Sequence, residues 1–324
     1  MPACQIEDFY DTPPLREELV QWLAHGDAPA HGRDEWCRRL EHWWDENPFA
    51  SLRSERGWVL RYGGGIVGFL GLIPTCYAVN GVPTPAFIAS TWRIDEEHRN
   101  ASLPMLMRFR KLSSEHIVSD TTPTPKVKEL LERGGWHCLM DIRRYFIPLG
   151  LFASLCRRRE WPSLPADRRL VLDPSLVKNV DAPSATSTGV EKWITPEYLR
   201  WFAASEMRRH QFVGLVDDEG CLTSYLFLAH KRIRGIPAWM EIDHFTTVSD
   251  HRELYAIVGE LVRRPSILGG RRLLSLAAFP GDGTWDDAPV IHRRSENVCH
   301  CFAIPASLKA LPKHTVLAEG DWGL

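Results

Sequence analysis

Residues 64–107 carry the clearest structural pattern in the chain and read GGIVGFLGLIPTCYAVNGVPTPAFIASTWRIDEEHRNASLPMLM. Two apolar runs flank Asn80-Gly81, and an Asn-Gly pair between extended runs is the strongest short-range signal of a β-hairpin. The segment from 102 to 118 has the apolar spacing of a helix. With the apolar run that precedes them, these runs predict three consecutive antiparallel strands over about 57–62, 66–78 and 83–94.

Further elements are predicted on both sides of this stretch. Downstream, HIVSDTTPTP indicates a short strand that ends in a loop, KVKELLERGGWHCL a helix that ends at a glycine pair, and RRYFIPL a strand. Upstream, PPLREELVQWLAHG and RDEWCRRLEHWWDENP have the apolar stripes of two helices. A meander of strands followed by β-α-β-α-β predicts an α+β fold, with a mixed sheet and helices on its faces.

The same order of elements recurs in the second half of the chain with little sequence identity. A helix, three strands, a helix and two more strands are predicted after residue 189. We therefore predict two lobes of one type, residues 1–150 and residues 189–324. Prolines, serines and charges fill the segment 151–188 between them, which is predicted to be a linker.

Composition limits the class of protein. The 324 residues are 44% hydrophobic and 25% charged with a formal net charge of −2, which is ordinary for a globular chain and gives no general attraction to nucleic acid. No stretch approaches the roughly 20 apolar residues of a membrane span. The acidic N-terminus lacks the order of a signal peptide, so a soluble cytoplasmic protein is predicted.

The cysteine pattern predicts neither disulfides nor a metal site. The 8 cysteines are scattered and form no Cys-x-x-Cys pair, which is typical of reduced thiols. In VCHCF, strand alternation puts Cys299 and Cys301 on one face and His300 on the other. Both cysteines are predicted to be core residues, and no metal is expected.

Motifs of the first lobe resemble, in the same order, those of the GNAT superfamily of N-acyltransferases. GGIVGFLGLIP resembles the paired strands of that family, and ASTWRIDEEHRNASLPMLM resembles its fourth strand, arginine-bearing turn and acyl-CoA helix. TTPTPKVKELLERGGW resembles its later strand end and the helix with a Gly-Trp pair. The resemblance covers about 57–148, and for 190–305 it is one of element order. The tandem arrangement also resembles FemAB-type transferases and acyltransferases encoded near polysaccharide genes.

The resemblance implies two GNAT-like lobes, each a mostly antiparallel mixed sheet flanked by helices. It implies an N- or O-acyltransferase (EC 2.3.1.-) that moves an acyl group from acetyl-CoA, another acyl-CoA or an acyl carrier protein to a small amine or sugar. In the turn, Arg99 keeps the family's pattern, whereas Ser102 and Pro104 stand where the family has small residues. Ser102 can still cap the helix. By position, the resemblance assigns donor binding to Trp92, Arg93, Ile94, Arg99, Asn100, Ala101, Ser102, Leu103 and Thr122.

Candidate catalytic residues come from both lobes. The family's tyrosine is missing from KVKELLERGG, which leaves Tyr145 and Cys138 as substitutes. In AWMEIDHF, alternation puts Glu241 and Asp243 on one strand face with Phe245. Because buried carboxylates need partners, this pair is either a general base or acceptor site facing the first lobe, or a salt-bridged or solvent-facing stretch.

Two other functions remain open. A FemAB-like aminoacyl transferase would take its donor from aminoacyl-tRNA, and the near-neutral chain argues mildly against a large tRNA footprint. A non-catalytic pseudo-acyltransferase that acts as a binding partner would explain the missing glycines and tyrosine.

Overall fold

The computed structural model describes residues 4–25, 32–150, 160–181, 189–207, 209–247, 251–290, 292–308 and 316–319. Its strands are β1 (Gln5–Asp8), β2 (Gly57–Tyr62), β3 (Gly65–Val79), β4 (Val82–Ile94), β5 (Ile117–Thr121), β6 (His137–Pro148), β7 (Arg169–Val171), β8 (Asn179–Val180), β9 (Val190–Lys192), β10 (His210–Val216), β11 (Cys221–Ile233), β12 (Ile236–Thr246), β13 (Leu273–Ala278) and β14 (His292–Ala303). Its α-helices are α1 (Pro13–Ala24), α2 (Arg33–Trp44), α3 (Ser102–Glu115), α4 (Pro125–Arg133), α5 (Pro196–Ala204) and α6 (Arg252–Arg263).

All the described strands belong to one mixed sheet. The strand order is β1-β2-β3-β4-β5-β14-β6-β13-β12-β11-β10-β7, with β8 on β11 and β9 on β3. Along this path β4–β5 and β12–β13 pair in parallel and the other described neighbours pair antiparallel. The α+β prediction is confirmed, and the three predicted strands are β2, β3 and β4.

The two halves of the sheet exchange strands at its centre. The last strand, β14, pairs antiparallel with β5 on one side and with β6 on the other. Strand β6 in turn pairs with β13, through partners that run from Arg143 with Ala278 to Pro148 with Leu273. A strand from the end of the chain therefore completes the first half, and β6 extends from the first half into the second.

Helices cover both faces of the sheet because each has an apolar stripe at helical spacing. On one face, α1, α2 and α5 bury residues such as Leu19, Trp43 and Phe202 in a core that also holds Phe69 and Phe227 of the sheet. The opposite face is covered by α3 and α4 over the first half and by α6 over the second. None of the described helices is long and apolar enough to cross a membrane.

The described part of the segment predicted as a linker, 160–181, contains two short strands. Strand β7 pairs with β10, and β8 pairs with β11, so this part of the chain extends the second half of the sheet. The remainder, 151–159 and 182–188, lies outside the described residues.

The prediction of reduced thiols is wrong at two positions. Cys138 on β6 and Cys301 on β14 form a disulfide, while Cys4, Cys37, Cys76, Cys221 and Cys299 are free. The two cysteines are 163 residues apart in sequence and become direct partners through the β6–β14 pairing. Local spacing carries no information about such a pair, which depends on the topology of the sheet.

Candidate functional site

Strands β4 and β5 separate and leave a cavity between them. They pair from Ala86–Ile117 to Ala89–Asp120, after which β4 continues to Ile94 without β5 beside it. The resulting space, here called the first opening, has a volume of about 150 Å³. Its lining includes Ser90, Thr91, Trp92, Thr121, Thr122 and Val127.

Two threonines with unusual backbone angles lie at the edges of the first opening. The β3–β4 register shifts between Phe69 and Gly71, and Thr91 opposite this shift has a φ of 54°. Thr122, directly after β5, has a φ of 61°. Positive φ is strained for a β-branched residue, and such conformations cluster at functional sites. Both threonines lie two residues beyond the last β4–β5 partners of their own chain segments, at the place where the pairing of the two strands ends.

The wall of the first opening combines apolar surface with hydroxyl groups. The Thr121 side chain is only 7% exposed, and its Oγ1 has no hydrogen-bond partner among the described residues. Ser90 Oγ lies 3.2 Å from Thr91 Oγ1. Leaving a buried hydroxyl without a partner costs roughly 1–3 kcal/mol, so the opening suits a ligand that can hydrogen-bond to Thr121.

The corresponding place in the second half, here called the second opening, is bridged by a side chain. Strands β12 and β13 pair as far as Met240–Ser275 and then separate. The next residue, Glu241, is buried, and its Oε2 accepts a hydrogen bond of 2.6 Å from the backbone N–H of Ala277 on β13. Its other oxygen lies 3.0 Å from His244 Nδ1. A carboxylate thus occupies the space between the strands.

Solved structures of several N-acyltransferases have the same fold. A probable N-acyltransferase from Enterococcus faecalis superposes with a TM-score of 0.60 at 11% identity, covering 95% of this chain and 74% of that one. A GCN5-related N-acetyltransferase from Anabaena variabilis gives a TM-score of 0.58 at 10% identity, covering 91% and 72%. Eis1 from Mycobacterium abscessus gives 0.55 at 14% identity, covering 92% and 73%. The chain has the GCN5-related N-acetyltransferase (GNAT) fold. No protein-family model matches the sequence, and no curated protein matches it either.

The turn before α3 differs from the glycine-rich turn expected of a GNAT fold. Residues Glu96–Ala101 form a 3-10 helix, and the amides of His98 and Ser102 donate to the carbonyls of Asp95 and Arg99. Ser102 is the first residue of α3, and no side chain caps this helix, so the predicted Ser102 cap is wrong. The Arg99 side chain is exposed and lies 3.5 Å from Glu96. Two amides that could donate to a phosphate are therefore used within the turn.

The residues predicted to bind the donor fall into different environments of the GNAT fold. Trp92 and Thr122 line the first opening. Arg93 is directed to the opposite face, where its guanidinium lies 4.6 Å from the Trp22 ring centroid and donates to the Leu23 carbonyl. Asn100 and Leu103 are exposed, and Ile94 and Ala101 pack against the core beneath α3. Ser90 and Thr121 also line the first opening but were not predicted as site residues. Within TTPTP, the sequence pointed only to the neighbouring Thr122.

The predicted carboxylate pair is separated by an irregularity in β12. Phe227 pairs with Asp243 and Leu228 with Glu241, so Ile242 is an extra residue that interrupts the alternation. Glu241 and Asp243 therefore do not share the environment that alternation predicted. Asp243 Oδ2 accepts from Lys192 Nζ at 2.8 Å and from the Tyr225 hydroxyl at 3.0 Å. Both carboxylates have buried partners, as the salt-bridged alternative expected.

His244 is charged more readily than an ordinary buried histidine. Burial by itself lowers the pKa of this side chain, but the neighbouring carboxylates of Glu241, Asp282 and Asp243 outweigh that effect and raise it. The ring also contacts Trp285 with centroids 5.4 Å apart. Glu241 and His244 therefore form a buried polar pair, and Glu241 links β12 to β13 at the second opening.

Tyr145 lies in the core of the second half and not among the residues that line the first opening. Its side chain packs with those beneath α6, and its hydroxyl donates to Asp286 Oδ1 at 2.9 Å. Burial and the Asp286 carboxylate raise the pKa of this phenol. Cys138, the other substitute for the family's tyrosine, is held in the disulfide with Cys301.

Three sulfur atoms form a cluster beside the first opening. Those of Cys138, Cys299 and Cys301 lie within 4.8 Å of one another, with Cys299 Sγ 3.6 Å from Cys301 Sγ. The Cys299 carbonyl also accepts the N–H of Thr122. Burial raises the pKa of Cys299 to about 11, so this thiol is protonated at neutral pH, and the other two sulfur atoms are joined in the Cys138–Cys301 disulfide.

Proposed function

We propose that the protein is an acyltransferase that binds acyl-CoA in the first opening and transfers the acyl group to a small amine or sugar. One contrast carries the proposal: the first opening is hollow and contains the unpartnered Thr121 hydroxyl, whereas Glu241 bridges the second. In the resembling family, the pantetheine arm lies between the fourth and fifth strands and bonds to the fourth. Two similar structures are described as a probable N-acyltransferase and an N-acetyltransferase, which supports the same reaction class.

The first opening suits the chemistry of a pantetheine arm. This arm is an extended chain with two amide groups, which pair with a strand as another strand would. Beyond Ala89, the β4 backbone groups that face β5 have lost that strand as a partner, and Thr121 offers a further hydroxyl. Leu70 and Val127 supply apolar surface for the methylene groups. We therefore assign the arm to the space between Ser90–Trp92 and 121–124.

Transfer requires attack of the acceptor on the thioester carbon, with loss of the acceptor's proton and protonation of the departing thiolate. The side chains of Tyr145 and Glu241 are both hydrogen-bonded within the second half. We therefore assign to neither residue the removal of the acceptor's proton or the protonation of the thiolate. The roles predicted for Glu241, Asp243 and Tyr145 stay predictions. An acyl carrier protein presents the same pantetheine arm, and the exposed Arg99 can pair with a phosphate of either donor.

Binding of CoA and acetyl-CoA by isothermal titration calorimetry tests the proposal. Thr121→Val removes the unpartnered hydroxyl with little change of volume and should weaken binding about fivefold, the value of one ordinary hydrogen bond. Val127→Trp places a large ring on the wall of the first opening and should abolish binding. Thr84→Val in the β3–β4 hairpin makes the same chemical change away from this opening and should bind like the parent.

The absence of heat and of any thermal shift with millimolar CoA would overturn the proposal for coenzyme A donors and favour the non-catalytic alternative. Binding that survives Val127→Trp unchanged would place the coenzyme elsewhere. Binding without acyl transfer to any amine or hydroxyl compound would separate a coenzyme-binding protein from an enzyme.

A further inference from the structure

A second cavity, larger than the first opening, lies in the second half, between the end of β12 and the loop after β13. Its volume is about 290 Å³. Its lining comes from β9, β11 and β12 and from residues 281–284 after β13. We call it the Asp243 cavity. It is lined by different residues from the first opening and by none of those assigned to the acyl donor.

The cavity is built around one fully buried carboxylate. Asp243 is 0% exposed, and its Oδ2 is held by Lys192 and by the Tyr225 hydroxyl. Its second oxygen, Oδ1, is buried and has no hydrogen-bond partner among the described residues. A buried carboxylate oxygen is an acceptor only, so the group that completes this site must be a hydrogen-bond donor.

Acids outnumber the charged bases in the lining of the cavity. The acids are Glu191, Asp243 and Asp282, and the basic residues are Lys192 and the histidines His244 and His251. Lys192 is opposed by Asp243 at 2.8 Å and His244 Nε2 lies 3.8 Å from Asp282 Oδ2, so with both Lys192 and His244 charged the acids still exceed these two cations by one. The Lys192 ammonium is itself buried and lies 4.5 Å from the Tyr198 ring centroid, so it is fixed in place. A ligand that carries a positive charge and N–H donors gains from the excess of acids at short range.

The size and the remaining lining limit the ligand to a small molecule. A volume of about 290 Å³ is just below the usual range of roughly 300–1,000 Å³ for ligand sites. Ile194 and Phe245 give the cavity apolar surface beside the carboxylate. We propose that the Asp243 cavity binds a small primary amine as its ammonium ion, with Asp243 Oδ1 as the anchoring acceptor.

This site is proposed for binding alone, and it requires no acyl donor. The assay is therefore run without coenzyme A, so that its failure and a failure of the proposed acyltransferase function are separate results. Three amines are tested by saturation-transfer NMR and calorimetry against neutral partners of matched shape. The pairs are ethanolamine with ethylene glycol, 5-aminopentanol with 1,5-pentanediol, and glucosamine with glucose.

At least one amine should bind about tenfold or more tightly than its neutral partner, which is the difference expected for a hydrogen bond to a charged group. Asp243→Asn should remove this preference. Asp218→Asn makes the same change at an exposed turn between β10 and β11 and should leave it intact. If no amine of the three is preferred over its partner, or if the preference survives in Asp243→Asn, the proposal is overturned.

A second variant covers the case in which Asp243→Asn fails to fold because Lys192 loses its partner. Gly283 lines the cavity, and a Cβ there would meet nothing closer than Asp286 Oδ2 at 3.8 Å. Gly283→Phe should narrow the cavity while both members of the Lys192–Asp243 pair are kept, and it should weaken amine binding at least tenfold. Unchanged amine binding in a folded Gly283→Phe variant would overturn the assignment to this cavity.

Discussion

At the scale of single residues, His300 links folding to pH. The side chain is buried in β14, with its ring centroid 5.6 Å from that of Phe279 and 6.0 Å from that of Phe302, and burial lowers its pKa from 6.5 to about 3. Between these two pH values the unfolded chain binds a proton that the native chain does not. The contribution of His300 to stability is therefore complete above pH 6.5 and is lost as the pH falls towards about 3.

We therefore predict that the unfolding free energy of His300→Phe falls less steeply than that of the parent when the pH is lowered. The parent should lose up to roughly 1.4 kcal/mol of unfolding free energy per pH unit through this residue, and the variant should lose none through it. Urea unfolding at pH 4, 5, 6 and 7.5 measures both slopes. His25→Gln changes an exposed histidine and serves as the control. Parallel curves for parent and His300→Phe would contradict the prediction.

The resemblance assigned Trp92, Arg93 and Thr122 to the donor site by position. Trp92 and Thr122 line the first opening, whereas Arg93 lies on the opposite face, and a role of any of them in donor binding stays a prediction. Glu241 and Asp243 were placed together because regular alternation was assumed. The extra residue Ile242 depends on pairing with β11, which the local sequence of β12 does not encode.

At the scale of elements, the link between β6 and β14 is covalent. The Cys138–Cys301 disulfide closes a long segment, with a sequence separation of 163 residues. In the chain-entropy treatment a loop of this size stabilises the native state by about 5 kcal/mol, although measured values are often smaller. Cys138→Ala should therefore lower the free energy of unfolding by roughly 2–5 kcal/mol under oxidising conditions.

Guanidinium unfolding with and without dithiothreitol measures this difference. Reduction should lower the unfolding free energy of the parent to nearly that of Cys138→Ala. The unfolding free energy of the variant itself should change little with the reductant. Cys221→Ala removes a free thiol from β11 and should keep the full response to reduction. If reduction leaves the unfolding midpoint of the parent unchanged, the disulfide does not contribute to its stability.

The identity of most elements was predictable, because helices and hairpins carry their signals within a few residues. Helix α4 and the hairpin of β3 and β4 are examples, each marked by apolar spacing and by turn residues. The neighbours of β6 and β14 were not predictable, since their partners are distant in sequence. The 3-10 helix of Glu96–Ala101 was also missed, because the resemblance predicted an arginine-bearing turn there and no helical element.

At the scale of the whole molecule, strand exchange makes the halves depend on each other. Without β14, strands β5 and β6 would each lose a paired edge, and without β6, strand β13 would lose one. The core on the α1–α2 face also runs through both halves, from Phe69 to Phe227. An exposed strand edge of this kind is prone to aggregation.

We therefore expect fragments 1–181 and 189–324 to be insoluble or unfolded when expressed alone and to form a stable complex when expressed together. The complex should unfold in one transition, and it should bind CoA with the affinity of the intact chain if the first opening is the donor site. Circular dichroism, size-exclusion chromatography and calorimetry measure these properties.

A soluble 1–181 fragment with native-like thermal unfolding would contradict the expectation, because its sheet would then be complete without β14. Since the cut lies between β8 and β9, it leaves every strand of the central β5-β14-β6-β13 region intact, so failure of the separate fragments would come from lost pairing and not from a damaged strand.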